Sequence, residues 1–141
     1  MDVAASLAIS SSALEAQRLR MDVIAANLAN AQSTRTPEGG PYKRRDVVLE
    51  ATPGERFGDI LGATPGGAVH VARVTTDDQP PRVVFDPGHP DADSHGYVSY
   101  PNVNPITEMV DLMAATRAYE ANVAAVNATK RVLEAALSIG K

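Results

Sequence analysis

The segment VAASLAISSSALEAQRLRMDVIAANLANA, residues 3–31, carries the clearest structural signal in the chain. Large apolar side chains recur at every seventh position: Leu7, Leu14, Met21 and Leu28. The second core position of the same heptad holds Val3, Ser10, Gln17, Ile24 and Ala31. Such a repeat, uninterrupted by Gly or Pro, predicts a long helix with one apolar seam over residues 1–31. Because Ser10 and Gln17 dilute the seam, this helix is expected to need a partner.

The C-terminal part of the chain carries a matching pattern. Steps of three and four residues separate Met109, Leu112, Thr116, Tyr119, Val123, Val126, Lys130, Leu133 and Leu137. Asn104 is suited to cap a helix that begins at Pro105, and Gly140 is suited to end it. These features predict a second helix over residues 105–141. Two weak seams at opposite ends of one chain favour an antiparallel coiled coil between the two helices.

The middle of the chain, residues 32–104, holds every proline except Pro105 and every glycine except Gly140. Four short segments there are predicted as strands: residues 43–51, 68–76, 82–85 and 96–100. Residues 68–76 and 82–85 are expected to pair as a hairpin around the turn DDQPP.

The predicted fold is therefore mainly α with a small β part, its two long terminal helices packed as an antiparallel coiled coil. Residues 1–31 and 105–141 would form one helical core domain. Residues 32–104 would form an extended loop with a small β-hairpin region.

Composition limits the core and the classes of partner. Aromatic residues make up 4% of the chain, so alanine supplies much of the apolar content and the core is expected to be small. A net charge of −4 argues against a nucleic-acid partner. No apolar run approaches the roughly 18 residues of a membrane span. The N-terminal MDVAASLAIS lacks a basic region, so a cleaved signal peptide is not expected.

Residues 86–96 contain the side chains that most resemble a metal site. The candidate ligands are His89, Asp91, Asp93 and His95. The segment matches the start of a calcium loop, but Asn102 stands where a bidentate glutamate is required. The alternative interpretation is a connector whose prolines and aspartates shape turns. A small metal-binding protein or enzyme that uses this loop is kept as the alternative function. No other motif indicates catalysis, and the favoured interpretation includes no cofactor, no metal and no catalytic residue.

Several polar side chains lie beside the predicted seams. Asn27 and Asn30 near the end of the first helix, and Asn122 in the second, could form hydrogen bonds between the helices or lie exposed. Glu108 is assigned to the polar face of the second helix. The basic residues 43–45 are interpreted as a solvated strand end.

Three longer stretches carry motifs beyond the heptads. They are ANLANAQSTRTPEGGPYKRRDVVLE (26–50), DPGHPDADSHGYVSYPNVNP (86–105) and EMVDLMAATRAYEANVAAVNATK (108–130). Together they resemble the flagellar axial proteins, the family of the rod and hook, and the stretches TRTPEGGPY, DPGHPDAD and GYVSYPNVN narrow the resemblance to one protein of the rod. The motif residues are Asn27, Asn30, Thr36, Pro37, Gly39, Gly40, Tyr42, Arg117, Tyr119, Glu120 and Asn122.

This resemblance implies a non-enzymatic structural subunit of the proximal rod of the flagellar basal body, which transmits motor torque through a helical assembly. The implied partners are copies of itself, other rod proteins, the ring-to-rod adaptor and the flagellar type III export apparatus. The implied location is the periplasmic rod, reached without a cleaved signal peptide. In an open helical array, weak seams are completed by neighbours. The expected assembly interface is Leu7, Leu14, Met21, Leu28, Leu112, Tyr119, Val126 and Leu133.

Overall fold

The computed structural model describes residues 3–51 and 67–139. Its elements follow in the order α1 (Val3–Ala29), β1 (Arg45–Ala51), β2 (Val69–Thr76), β3 (Arg82–Phe85), β4 (Tyr97–Tyr100) and α2 (Pro105–Ile139). The predicted class, two long packed helices with a small β part between them, is confirmed. Residues 1–2 and 140–141, including the predicted helix stop at Gly140, lie outside the described residues.

The start of α2 is set by the cap that the sequence predicts. The side-chain Oδ1 of Asn104 accepts a hydrogen bond from the backbone N–H of Ile106 at 3.0 Å. The backbone carbonyl of Asn104 accepts the first intrahelical bond from Glu108 N at 3.0 Å. Pro105 occupies the first helical position, where a backbone N–H is not needed.

The two helices run antiparallel. Asn27, near the end of α1, donates a hydrogen bond to Glu108, near the start of α2. Further along the pair, the Thr116 hydroxyl lies 3.6 Å from the Met21 sulfur. The first helix ends at Ala29 instead of residue 31, because the chain turns there, with Ala31 N donating to Leu28 O at 3.3 Å.

The face of α2 that packs on α1 differs by one residue from the predicted seam. Glu108 and Ala115 are fully buried, and the residues that continue this face are half-buried: Leu112, Tyr119, Asn122, Val126 and Thr129. The predicted seam positions Met109 and Val123 are 51% and 36% exposed. Leu112, Tyr119 and Val126 of one predicted row are thus half-buried, whereas in the other row Thr116 lies against Met21 of α1 and Met109 and Val123 are exposed. Hydropathy favoured Met109 over Glu108, but the buried Glu108 carboxylate is paired with the charged side chain of Arg44.

The strands form two separate antiparallel pairs, β1 with β2 and β3 with β4. The predicted hairpin between residues 68–76 and 82–85 is therefore wrong. Pro80 and Pro81 directly precede β3, and neither has a backbone N–H that could donate to a ladder with β2. Instead, Asp77 N bonds to Arg44 O at 2.8 Å, and β3 turns back later, through residues 86–96, to pair with β4.

The core is small, and its residues are spread over both helices, β4 and the segments next to them. Its buried hydrophobic residues among those described are Ala16, Ile24, Ala31, Val98, Val103 and Ala115. The β1–β2 pair rests on α1, where Val69 N donates to the Ser12 hydroxyl at 3.1 Å. Alanine at three of these six positions keeps the buried apolar area low, as the composition predicted.

Candidate functional site

Asn27 is the centre of a polar cluster buried between the helices, and its side chain has no exposed surface. Its Nδ2 donates to the Arg45 carbonyl at 2.8 Å and to Glu108 Oε2 at 3.0 Å. Its Oδ1 accepts from Arg45 N–H at 2.9 Å and from the Tyr42 hydroxyl at 3.0 Å. All the hydrogen-bonding positions of the amide are therefore used. Of the two alternatives left open by the sequence, the inter-helix bond is the correct one for Asn27.

Glu108 is the second fully buried polar residue of this cluster. Its Oε1 accepts a bond of 2.6 Å from Arg44 Nε, whose side chain is 23% exposed. Burial lowers the pKa of Arg44, but the hydrogen bond and charge of Glu108, together with Asp46 and Asp77, outweigh burial and leave this pKa above its usual value. The assignment of Glu108 to the polar face is therefore wrong. We call Asn27, Tyr42, Arg44 and Glu108 the polar junction.

Arg44 and Glu108 are members of the polar junction that the sequence did not point to. Arg44 lies in the basic run 43–45, which was interpreted as solvated, and its partner is 64 residues away. The only sequence signal for Glu108 was its position in the first turn of α2, where the helix dipole favours an acidic residue. A short-range pattern could not show that this glutamate is buried.

The loop before β1 delivers Tyr42 to the polar junction. Tyr42 N–H donates to Ser33 O at 3.0 Å, and inside this closure Thr36 N–H donates to Gly40 O at 2.9 Å. Gly39 and Gly40 have φ of 90° and 78°, which glycine adopts without strain. Burial raises the pKa of the Tyr42 phenol, the charge of Arg45 lowers it and that of Glu108 raises it, with a net increase.

The structure brings only part of the predicted motif together. Asn30 completes the helix end, with its Nδ2 donating to Ala26 O at 2.9 Å, and Pro37 lies exposed in the loop. The C-terminal motif residues lie further along α2, away from the polar junction. Arg117 and Glu120 are exposed, Tyr119 is half-buried, and Asn122 donates to Ala118 O of its own helix at 2.8 Å.

The eight predicted interface residues follow the helix pair along its length. Seven are half-buried: Leu7, Leu14, Met21, Leu28, Leu112, Tyr119 and Val126. Leu133 is 43% exposed. Their contact with neighbouring subunits stays a prediction.

The outer side of α2 presents apolar side chains to solvent. Near its start, four residues at helical spacing are each at least half exposed: Ile106 (74%), Met109 (51%), Val110 (53%) and Met113 (55%). We call these four residues the apolar stripe. Towards the other end of α2, Val132 and Leu137 are 64% and 67% exposed. Near its start, α2 thus carries apolar side chains on its outer side as well as on the side that packs on α1.

The candidate metal ligands of residues 86–96 are engaged in turns. Asp93 Oδ1 accepts backbone bonds from His95 at 2.8 Å and from Tyr97 at 2.9 Å. These backbone bonds, that of Tyr97 first, lower the pKa of Asp93. His89 Nδ1 accepts from Asp91 N at 3.1 Å, and Asp91 Oδ2 accepts from the Thr34 hydroxyl at 2.8 Å.

Within residues 3–51 and 67–139, His, Asp and Glu side chains form no group of three that could hold a metal ion. The turn bonds favour the connector interpretation of residues 86–96, since this segment is the hairpin loop between β3 and β4. In the same part of the chain, neither helix is long and apolar enough to cross a membrane.

Comparison with known families defines the class of protein. A family described as "Flagella basal body rod protein" matches residues 7–35, which cover most of α1 and the start of the following loop. A second, "Flagellar basal body rod FlgEFG protein C-terminal", matches residues 94–139, which cover β4 and α2. A fold built on two packed terminal helices, with family matches at both, is that of a flagellar basal-body rod protein.

Curated relatives narrow the class to one family. The flagellar basal-body rod protein FlgC of Bacillus subtilis (strain 168) is 49% identical, over 96% of this chain and 97% of that protein. The FlgC proteins of Borreliella burgdorferi and Salmonella typhimurium are 41% and 42% identical, over 99% and 94% of this chain and 98% and 94% of their own lengths. The chain belongs to the FlgC family of flagellar basal-body rod proteins. Its function is that of a structural rod subunit, and the comparisons give no support to the metal-binding or enzymatic alternative.

Proposed function

We propose that this rod subunit belongs to the proximal rod, performs no catalysis, and transmits motor torque through contacts between its terminal helices and those of neighbouring subunits. The observation that carries this proposal is the apolar stripe on the outer side of α2. Four large apolar side chains exposed together at helical spacing form a patch of the kind that marks a contact with another protein. Since α1 packs on the other side of α2, a neighbouring subunit is the element proposed to cover the apolar stripe.

The spacing of the apolar stripe favours a helix as its occupant. Ile106, Met109, Val110 and Met113 stand at positions i, i+3, i+4 and i+7, which place them in one row along α2. A ridge of side chains at this spacing packs into the groove between the ridges of another helix. We assign this role to a terminal helix of an adjacent rod subunit, either a second copy of this chain or another rod protein.

The eight predicted interface residues would complete their contacts in the same array. Seven of them are only half-buried in the single chain, so each retains apolar surface for a neighbour. Many such contacts acting in parallel would resist rotation of one subunit against the next. Torque transmission then depends on the number of interfaces, and no single contact has to be strong.

The remaining partners are proposed from family membership. We place the subunit in the periplasmic part of the basal body, in contact with the ring-to-rod adaptor. We propose delivery through the flagellar type III export apparatus, without cleavage of a signal peptide. The two terminal helices, residues 1–31 and 105–141, would form one core domain of the subunit. Residues 32–104 would form a second region that contacts neighbouring subunits.

A set of charged substitutions tests the assembly contacts in a strain that lacks the native gene. Met113→Glu, in the apolar stripe, and Leu14→Asp or Val126→Asp, in the predicted interface, should allow synthesis and export but lower incorporation into isolated basal bodies at least tenfold. Each places a charge at an interface that excludes water. Thr107→Glu is the control, because Thr107 is exposed on α2 outside the apolar stripe.

Immunoblots of isolated basal bodies and of the export fraction, with swimming in soft agar, give the readout. The proposal requires a loss of incorporation for Met113→Glu with Thr107→Glu unchanged. Normal incorporation and motility for Met113→Glu and Val126→Asp would contradict it.

A further inference from the structure

The apolar pattern of the helix pair does not by itself specify how far one helix is shifted along the other. The apolar residues of α1 recur every seven positions, at Leu7, Leu14, Met21 and Leu28. Those of α2 recur at the same interval, at Leu112, Tyr119, Val126 and Leu133. A slip of seven residues, roughly 10 Å along the axis, would again place one row against the other. Apolar burial therefore discriminates weakly between the native and the slipped arrangements.

The polar junction, by contrast, has no equivalent one heptad away. Asn27 faces Glu108 in the antiparallel pair, and a slip of seven residues would bring it to Pro101 or Ala115 instead. Neither of these has a side-chain acceptor for the Asn27 amide. Because Asn27 is fully buried, water could not replace the lost partner without opening the pair. Arg44 would at the same time lose its carboxylate.

The same contacts hold the connecting loop against both helices. Tyr42 is the last residue of the loop 33–42 and bonds to Asn27 on α1. Arg44 follows the loop and bonds to Glu108 on α2. The backbone of Arg45, the first residue of β1, occupies two further positions on the Asn27 amide. Slippage would therefore detach the loop and β1 as well as the helix, which raises the cost of any other register.

We propose that Asn27, Arg44 and Glu108 determine the axial register of the two terminal helices and act as positioning residues of the subunit. A single buried polar residue can fix register in coiled coils in this way, with a loss of stability relative to an apolar core. The inference goes beyond the proposed function, because it concerns the subunit itself and holds whether or not the apolar stripe meets a neighbour.

The absence of cysteine from the chain allows register to be measured by thiol cross-linking. The pair Met21→Cys/Thr116→Cys reports the native register, since Thr116 Oγ1 lies 3.6 Å from Met21 Sδ. The pairs Met21→Cys/Met109→Cys and Met21→Cys/Val123→Cys report slips of seven residues in either direction. A short bifunctional thiol reagent should link only the native pair in the otherwise unchanged full-length chain.

The decisive background is an apolar replacement of the polar junction, Asn27→Leu/Arg44→Met/Glu108→Leu. It replaces the three polar side chains by apolar ones, so the helices are expected to remain paired while register is lost. We expect the native cross-link to fall at least fivefold and one of the slipped cross-links to rise by a similar factor, with the circular dichroism at 222 nm retained. The control background is Arg117→Met/Glu120→Leu, which changes exposed residues of α2 and should link only the native pair.

Three results would overturn the proposal. The first is that the apolar background links only the native pair, which would mean that apolar packing sets the register. The second is loss of helicity in that background, which would mean that the polar junction is needed for helix formation and not for register. The third is a slipped cross-link in the control background. None of these results depends on a contact at the apolar stripe. The register proposal can therefore be refuted while the proposed function stands, and the reverse.

Discussion

Replacing Glu108 by Gln removes the charge from the polar junction with little change in size. Glu108 uses both of its oxygens as acceptors, Oε1 for Arg44 and Oε2 for Asn27. Glutamine has one acceptor oxygen and one NH₂ group, so one of these two donors would face another donor. No rotation of the amide satisfies both partners. The substitution therefore tests the carboxylate itself and not merely the space it fills.

The expected loss follows from burial. Removal of one partner from a fully buried ion pair costs about 3–5 kcal/mol. Glu108 is fully buried, but the Arg44 side chain is 23% exposed and can be partly hydrated, which reduces the loss. A hydrogen bond to a charged group contributes roughly 1.5–3 kcal/mol, so we expect the free energy of unfolding to fall by about 2 kcal/mol. With an m-value of about 1.5 kcal/mol per molar, the urea midpoint would fall by roughly 1.3 M.

The measurement is urea unfolding of the purified chain followed by circular dichroism at 222 nm. An excluded osmolyte is added to all samples so that the wild-type chain begins fully folded. Glu120→Gln is the matched control, because Glu120 is exposed on the same helix. Its free energy of unfolding should change by no more than about 0.5 kcal/mol. Equal midpoints for the two variants would refute the assignment of a stabilising role to the buried carboxylate.

Two further predictions concern the β3–β4 hairpin. Gly96→Ala should destabilise it by roughly 2 kcal/mol or more, since φ is +81° and a Cβ would lie 2.9 Å from the Phe85 ring. Gly39→Ala, at φ +90° with no atom within 4 Å, should cost only about 1 kcal/mol, and hydrogen exchange showing equal costs would contradict the steric reasoning. The lowered pKa of Asp93 means that its contribution is fully present above its ordinary pKa of 3.8 and is lost as pH falls through the lower folded value. An NMR titration should show the Tyr97 amide shifting below pH 3.8, and its persistence in Asp93→Asn would exclude Asp93 as the cause.

Local chemistry was sufficient to predict the helices, because their signals lie within a few residues of each other. The heptad of α1, the Asn104 cap and Pro105 at the first position of α2 all act over one or two turns. The strand segments were predicted within one or two residues for the same reason. The exclusion of helix from residues 32–104 likewise rests on the backbone restrictions of proline and the conformational freedom of glycine.

Strand pairing could not be predicted from adjacency along the chain. Residues 68–76 and 82–85 are neighbours in sequence, yet each pairs with a different strand. The pairing depends on where β1 lies, and β1 is held by Asn27 through its backbone. A contact of that range leaves no periodic trace in the sequence.

Periodicity and composition thus specified two long terminal helices, the start of the second at Pro105, and a small core. These features follow from local backbone preferences and from the number of large apolar side chains. The tertiary structure alone decided which side of α2 is inside. That choice depends on Arg44 reaching Glu108 across 64 residues, so that a charged side chain is buried while Met109 remains at the surface. A buried charge is stable only beside its partner, and the partner is known only when the chain has folded.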